Sequence, residues 1–334
     1  MTFSLIICTY QRPAAIIRLM RSVVEQSLYP DEILIVDGSK GNETKLILES
    51  ESFSNLSYFK VEPHNRGLTK QRNYGISKAG KEIICFLDDD VVLKPDYFKN
   101  IIVTYSFNEN TVGVGGYICN QVNWIKSNRQ PTFREFKIDG WIRKLGSRYS
   151  FRKLFGLVSD CPPGFMPEFS NGYPIGFLPP SGKTFPVEFF MGGVASYRKE
   201  VFQKIKFSEY FEGYGLYEDM DFCLRMSNLG QLYVNTQAQL LHLHDENSRP
   251  NKYQYGKMVI RNGWYVWRVK YPKPSLFARF KWHSTAFLLI LVRLSNVLTN
   301  SRKREAFSES IGRIMGWISL LSNTPKFTNE RGAA

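Results

Sequence analysis

Three consecutive carboxylates, Asp88, Asp89 and Asp90, follow the apolar run EIICFL at residues 82–87. Such a run reads as a buried strand, and ligands gather at the carboxyl ends of strands in a parallel sheet. Adjacent carboxylates repel one another unless a cation or a set of donors offsets their charge. A hard divalent ion, Mg2+ or Mn2+, held by one or two carboxylates and by substrate phosphates, meets that need. An acidic turn that merely opens a helix is the alternative, since VVLKPDYF follows. Asp37 stands similarly, in IVDGS at the end of an earlier strand. A carboxylate there can accept from a base N–H or a ribose hydroxyl, and Gly38 permits close approach. A plain turn has the same composition.

Glu218 and Asp219 precede a helical stretch, MDFCLRMSNLG. Acids at a helix N-terminus are common caps. The same placement keeps Asp219 ionised, as a general base must be before it takes a proton. Asp221 and Arg225 are i, i+4 partners and read as structural. Two of the four histidines, His242 and His244, sit at i and i+2 in LLHLHDENSRP. On a strand they share a face, and one of them could complete a carboxylate and imidazole metal site. A solvated histidine pair is the other reading. The first strand-to-helix loop is TYQRP rather than GxGxxG, and GVGGY at 113–117 has the wrong spacing. Nicotinamide and flavin sites of the dinucleotide-binding type are therefore disfavoured. Five scattered cysteines without a CxxC pair argue against a zinc framework or a disulfide scaffold, and fit a reducing compartment.

The elements that must position these residues follow an α/β rhythm. Residues 1–115 alternate short apolar strands (3–8, 32–36, 56–61, 82–87) with helical spacing at 14–26 and 43–51. Continuous apolar strands with intervening helices imply a mostly parallel sheet covered on both faces. Residues 116–185 break the rhythm with aromatic, basic, Pro and Gly residues, and read as an insertion with helix around 138–154. Order returns over 186–250, with a helix from 218 and short strands at 231–234 and 239–242. A helical tail is expected from about 251, interrupted at YPKPS. Phe307, Ile311, Ile314, Ile318 and Leu321 are spaced as one helix face.

The chain of 334 residues carries a net charge of +14, unevenly spread. Residues 251–334 hold 15 Lys or Arg and 3 Glu, and residues 121–155 hold 9 basic and 2 acidic side chains. The remainder is mildly acidic. With 43% hydrophobic residues the chain has ample core material, so wholesale disorder is excluded. No secretory leader is visible, and the longest apolar run, residues 286–292, is far short of the ~20 residues a membrane span needs. The tail mixes its cations with Trp264, Trp267, Trp282, Trp317 and aliphatic residues. That mixture suits the surface of an anionic membrane, with a solvated helical face or a packing or oligomer role in a soluble protein as the alternative, and no nucleic-acid recognition module is present.

Taken in order, IICTYQRP, ILIVDGS, NRGLTKQRNYGI, ICFLDDD, FFMGGVASYRKE, YEDMDFCLRMSNLGQLYV and HLH resemble the family 2 glycosyltransferases. These inverting, metal-dependent enzymes have the GT-A fold. The resemblance covers residues 3 to about 245, except the insertion. It implies that Thr9, Tyr10, Arg12 and Asp37 hold the nucleotide base and ribose, with Arg72 and Asn73 bordering the nucleotide and diphosphate. Asp88 and Asp89 would contact the nucleotide, and Asp90 would bind Mn2+ or Mg2+ with His242, or less readily His244. Gly192 and Gly193 would floor the sugar subsites. In the Glu218–Asp219 catalytic pair, Asp219 would be the base. The implied donor is a UDP sugar or similar nucleotide-diphosphate sugar. The implied acceptor is a glycan or lipid-linked glycan, at the cytoplasmic face of a membrane that the tail would hold. A nucleotidyltransferase shares a similar fold, but TYQRPAAI lacks its glycine-rich loop. A non-catalytic membrane- or nucleic-acid-binding protein would have no need of the DDD, ED and HLH groups together.

Overall fold

The computed structural model describes residues 1–211, 213–243, 251–299 and 301–326. His244 lies outside them. The chain divides into two compact units, one of Met1–Val122 with Pro180–Asp245, the other of Asn123–Pro179 with Glu246–Ala334. The insertion and the tail, read from the sequence as separate segments, thus fall in one unit.

The first unit is a nine-stranded sheet flanked by helices. In chain order it contains β1 (Phe3–Thr9), α1 (Pro13–Val24), β2 (Glu32–Asp37), α2 (Glu43–Glu49), β3 (Leu56–Lys60), α3 (Leu68–Lys78), β4 (Ile83–Asp88), β5 (Val91–Leu93), α4 (Tyr97–Thr104) and β6 (Thr111–Ile118). The strand order runs β10-β12-β6-β11-β4-β1-β2-β3, and β5 pairs with β12. Here β10 is Thr184–Val187, β11 Val194–Arg198 and β12 Gln231–His242, with α6 (Glu218–Met226) between the last two. From β3 to β4 every pairing is parallel, and β11 then runs against both β4 and β6. The two short strands expected near residues 231 and 242 are one strand with a register shift between Val234 and Gln239. GVGGY lies within β6, where Gly115 and Gly116 leave room for the rings of Phe190 and Tyr97.

The second unit starts with a three-stranded sheet, β7 (Ile125–Lys126), β9 (Trp141–Lys144) and β8 (Glu135–Ile138), followed by α5 (Ser147–Leu154). Helix was expected from residue 138. The reason for the difference is Asp139-Gly140, both at positive φ (52° and 74°), which make a two-residue hairpin turn. The tail folds as α7 (Lys252–Lys270), α8 (Leu276–Thr299) and α9 (Lys303–Ser322). Helices α7 and α9 pack closely because Gly256 faces the backbone of Glu309 and Arg313, and Gly312 faces that of Tyr253. Trp264, Trp267 and Trp282 pack on one another with ring centroids 4.9–5.6 Å apart, and all three are buried. These tryptophans are core of the helical unit and are not interfacial anchors. No described helix is long and apolar enough to cross a membrane.

Candidate active site

The register of the parallel strands brings the candidates to one edge. Thr9 lies opposite Asp37, and Cys8 opposite Asp88, so the loops after β1, β2 and β4 leave the sheet at the same end. Thr9 Oγ1 donates to Asp89 Oδ2 at 2.7 Å, and Arg12 Nη1 donates to Asp89 Oδ1 at 2.5 Å. This pairing ties the TYQRP loop to the acidic turn. Burial pushes the Asp89 carboxyl up to about 6, against the lowering by Arg12 and Thr9. Thr9, Arg12 and Asp89 are therefore engaged with one another, and Tyr10 and Gln11 are the exposed side chains of the loop. Asp37 has no exposed surface. Its carboxylate accepts from Ser39 N and from the Tyr58 hydroxyl, each at 2.7 Å.

Arg12 Nη1 also reaches Asp90 Oδ2 at 3.4 Å, and the other Asp90 oxygen faces His242. After the three acids the chain turns into β5, whose Val91 pairs with His242 on β12. That register sets the imidazole beside Asp90, with Nε2 3.0 Å from Oδ1. Burial alone would lower the His242 pKa, but the hydrogen-bonded, negatively charged Asp90 outweighs it and the net shift is upward. Gln121 reaches the other ring nitrogen at 3.2 Å, and Asn120 pairs with the His242 backbone in both directions. Asp88, Asp90 and His242 each offer a ligand atom within 4.8 Å of the others. Two carboxylates and an imidazole are a suitable donor set for Mn2+ or Mg2+. The Asp88 side chain is 41% exposed, so a ligand can approach it from solvent.

The ED pair divides its work. Gly213, Gly215 and Tyr217 all have left-handed backbones, and this tight loop delivers the N-terminus of α6. Glu218 is buried, and its carboxylate pairs with Arg72 Nη1. Burial raises its pKa well above the usual carboxylate range, although Arg72 opposes the shift. Arg72 itself lies over the rings of Phe86 and Phe207, at 5.7 and 5.3 Å, and 3.6 Å from Asp88 Oδ1. Glu218, expected in a catalytic pair, is thus a buried partner of Arg72. Asn73, expected beside the nucleotide, exchanges two hydrogen bonds with the Phe207 backbone. Asp219 is only partly buried. Its oxygens accept from Gly192 N at 3.1 Å and from Met220 N at 2.7 Å. Burial raises its pKa, and these two backbone donors moderate the rise.

Two consecutive glycines join the halves. Gly192 N–H donates to Asp219, while Gly193 C=O accepts from Asp88 N at 3.1 Å. A Cβ on Gly192 would come within 2.6 Å of Arg72 Nη1 and 2.7 Å of Glu218 Oε1, and one on Gly193 would overlap the Asp88 carboxylate. Sequence reasoning passed over the residues that brace this edge. Gln71 donates to the backbone oxygens of Thr9 and Val36, and Gln121 supports His242. Gln71 sits within NRGLTKQRNYGI, beside the charged Arg72, and Gln121 lies outside every motif; both act through long-range hydrogen bonds that spacing does not encode.

The chain matches the family model described as Glycosyl transferase family 2 over residues 4–206. The chain belongs to that family. Among curated relatives of this family 2 protein is the glucosyl-dolichyl phosphate glucuronosyltransferase of Haloferax volcanii. It is 28% identical over 137 residues, which are 40% of this chain and 42% of that protein. Another is the GalNAc(5)-diNAcBac-PP-undecaprenol beta-1,3-glucosyltransferase of Campylobacter jejuni, 26% identical over 89 residues, 26% of this chain and 29% of the relative. The family 2 chain therefore spans less than half the length of these relatives. Among solved structures it resembles GalNAc-T7 with UDP, GalNAc and Mn2+, at a TM-score of 0.51 and 14% identity, over 81% of this chain and 49% of that one. This likeness establishes the GT-A fold.

Proposed function

We propose that this protein transfers a sugar from a nucleotide-diphosphate sugar, a UDP sugar, to a hydroxyl of a glycan or lipid-linked glycan, with inversion at the anomeric carbon. The observation that carries the reading is the Gly192–Gly193 junction, where one residue touches Asp219 and the next touches Asp88 of the carboxylate and histidine cluster. A base and a diphosphate-binding group must lie this near each other for in-line displacement at one carbon.

Asp88, Asp90 and His242 would hold Mn2+ or Mg2+, which when bound supplies Lewis-acid stabilisation of the diphosphate leaving group. Asp219 takes the proton of the acceptor hydroxyl as that oxygen attacks, a role that typically contributes about 10²–10⁴-fold. Its raised pKa makes it a better proton acceptor than an ordinary aspartate, and the N–H groups of Gly192 and Met220 fix its orientation. Glu218 and Arg72 position these groups from beneath. Tyr10 offers an exposed ring to the nucleotide base, and the Thr9–Arg12–Asp89 network and Asp37 hold the surrounding loops in place. No covalent intermediate is required, because the acceptor oxygen attacks the anomeric carbon as the diphosphate leaves. The names of the two curated relatives, one a glucosyl-dolichyl phosphate glucuronosyltransferase and one acting on an undecaprenol-linked glycan, support a lipid-linked acceptor. A position at the cytoplasmic face of the membrane, with the basic tail on the anionic surface, accords with such an acceptor.

The test is product stereochemistry. With an α-linked donor, NMR of the isolated product should show a β linkage. An α product would overturn the assignment of Asp219 as the base of a single displacement.

A further inference from the structure

Helix α8 has two unlike faces. Ala278, Trp282, Thr285, Ala286 and Ile290 are buried. Leu276, Phe280, Phe287, Leu291, Leu294 and Leu298 are exposed, with 82% and 84% of Leu276 and Leu298 open to solvent. At 100° per residue the six exposed side chains fall within an arc of about 60°. The stripe is about 33 Å long at 1.5 Å per residue. Such an apolar strip, broken only between Phe280 and Phe287 near His283 and Ser284, is more than the scattered exposure normal for a monomer surface. Helix α9 carries a second exposed row in Phe307, Met315, Ile318 and Leu321. The unit that bears both holds 25 Lys or Arg against 8 Asp or Glu, whereas the sheet unit holds 19 against 22.

We propose that the α8 stripe is the surface by which the helical unit lies in the headgroup region of an anionic lipid leaflet. This rests on the lipid-linked acceptor reading and replaces the tryptophans as its anchor, since Trp264, Trp267 and Trp282 are buried. Charge complementarity selects the occupant. A net charge of +17 on this unit repels a second copy of itself and attracts anionic lipid. Arg293, which pairs with Glu309 on the side of α8 away from the stripe, and a helix that is not apolar enough to cross a membrane fit a helix lying in the plane rather than across it.

The experiment is vesicle flotation of the full chain without donor or acceptor, so that its outcome does not depend on catalysis. Vesicles contain phosphatidylcholine with or without 30% phosphatidylglycerol. The expected result is binding to the anionic vesicles, weakened by salt, and reduced at least tenfold by Phe280→Asp with Leu291→Asp. Leu46→Asp, at an exposed site of α2, should leave binding unchanged. A second measurement covers misfolding of the double variant: Leu291→Cys carrying an environment-sensitive dye should shift to the blue on vesicles, while intrinsic tryptophan emission stays fixed. Equal binding of the double variant, a dye that does not respond, or no vesicle binding would each overturn the proposal. So would a dimer, measured by light scattering, that is lost in the double variant when vesicles do not bind.

Discussion

Substituting alanine at Gly192 and at Gly193, one residue apart, should give two different defects. At Gly193 the new methyl overlaps the Asp88 carboxylate. Asp88 is 41% exposed and can swing outward, so the fold should lose at most about 1 kcal/mol, below the 1–3 kcal/mol usual for overpacking in a closed core. What suffers is the set of metal-binding atoms, because Asp88 leaves the positions that bring it within 4.8 Å of Asp90 and His242. Disturbing a ligand's support typically costs about 10–100-fold in metal affinity. At Gly192 the methyl meets Arg72 Nη1 at 2.6 Å and Glu218 Oε1 at 2.7 Å, in a pair whose side chains are only 3% and 5% exposed. Neither partner has solvent to retreat into, so Gly192→Ala should destabilise by about 1–3 kcal/mol. Calorimetric Mn2+ titration together with urea unfolding separates the two. Gly193→Ala should bind Mn2+ at least tenfold more weakly with nearly native stability. Wild-type Mn2+ affinity in that variant, or equal stability losses in both, would refute the geometry claimed for the junction.

Other consequences follow from single groups. Asp219→Asn should lower turnover by about 10²–10⁴-fold while leaving nucleotide affinity intact, measured by single-turnover kinetics and equilibrium binding. Because burial raises the Asp219 pKa, the base is ionised and active above that pKa and protonated and inactive below it. The acid limb of the pH profile should therefore lie above the value of an ordinary aspartate and vanish from the residual rate of the Asn variant. Mn2+ at a hundred times its Kd should stabilise the protein by about 2.7 kcal/mol, and a chelator or Asp90→Asn should remove the effect in a thermal scan. Trp282→Ala should cost about 3–5 kcal/mol and raise hydrogen exchange in α7 and α8, since its ring packs against both Trp264 and Trp267.

Much of this was legible in the sequence wherever chemistry is concentrated in adjacent residues. The strand ending in Asp88–Asp90, the ED pair before a helix and His242 after a strand announce themselves by residue type and local period. Their division of labour does not. Glu218 and Asp219 look alike in sequence, and only the direction each leaves α6 sends one to Arg72 and the other toward solvent. Asp88 joins Asp90 because strand twist and the β5–β12 register decide which of three neighbouring carboxylates face His242. Thr9 pairs with Asp89, and Arg12 with Asp89 and Asp90, across nearly eighty residues, a pairing that no local pattern reports. In the second unit, cations and tryptophans share the same helices, and composition alone could not tell the buried face of α8 from the exposed one.

The central claim is that a nucleotide-diphosphate sugar is turned over at the Asp88–Asp90–His242 cluster. The most direct measurement is release of free nucleoside diphosphate by the purified protein from a panel of nucleotide sugars with glycan and lipid-linked acceptors, with and without Mn2+. Metal-dependent release from at least one donor, lost in His242→Ala, is the predicted result. Release that is indifferent to metal, or that survives unchanged in His242→Ala, would contradict it.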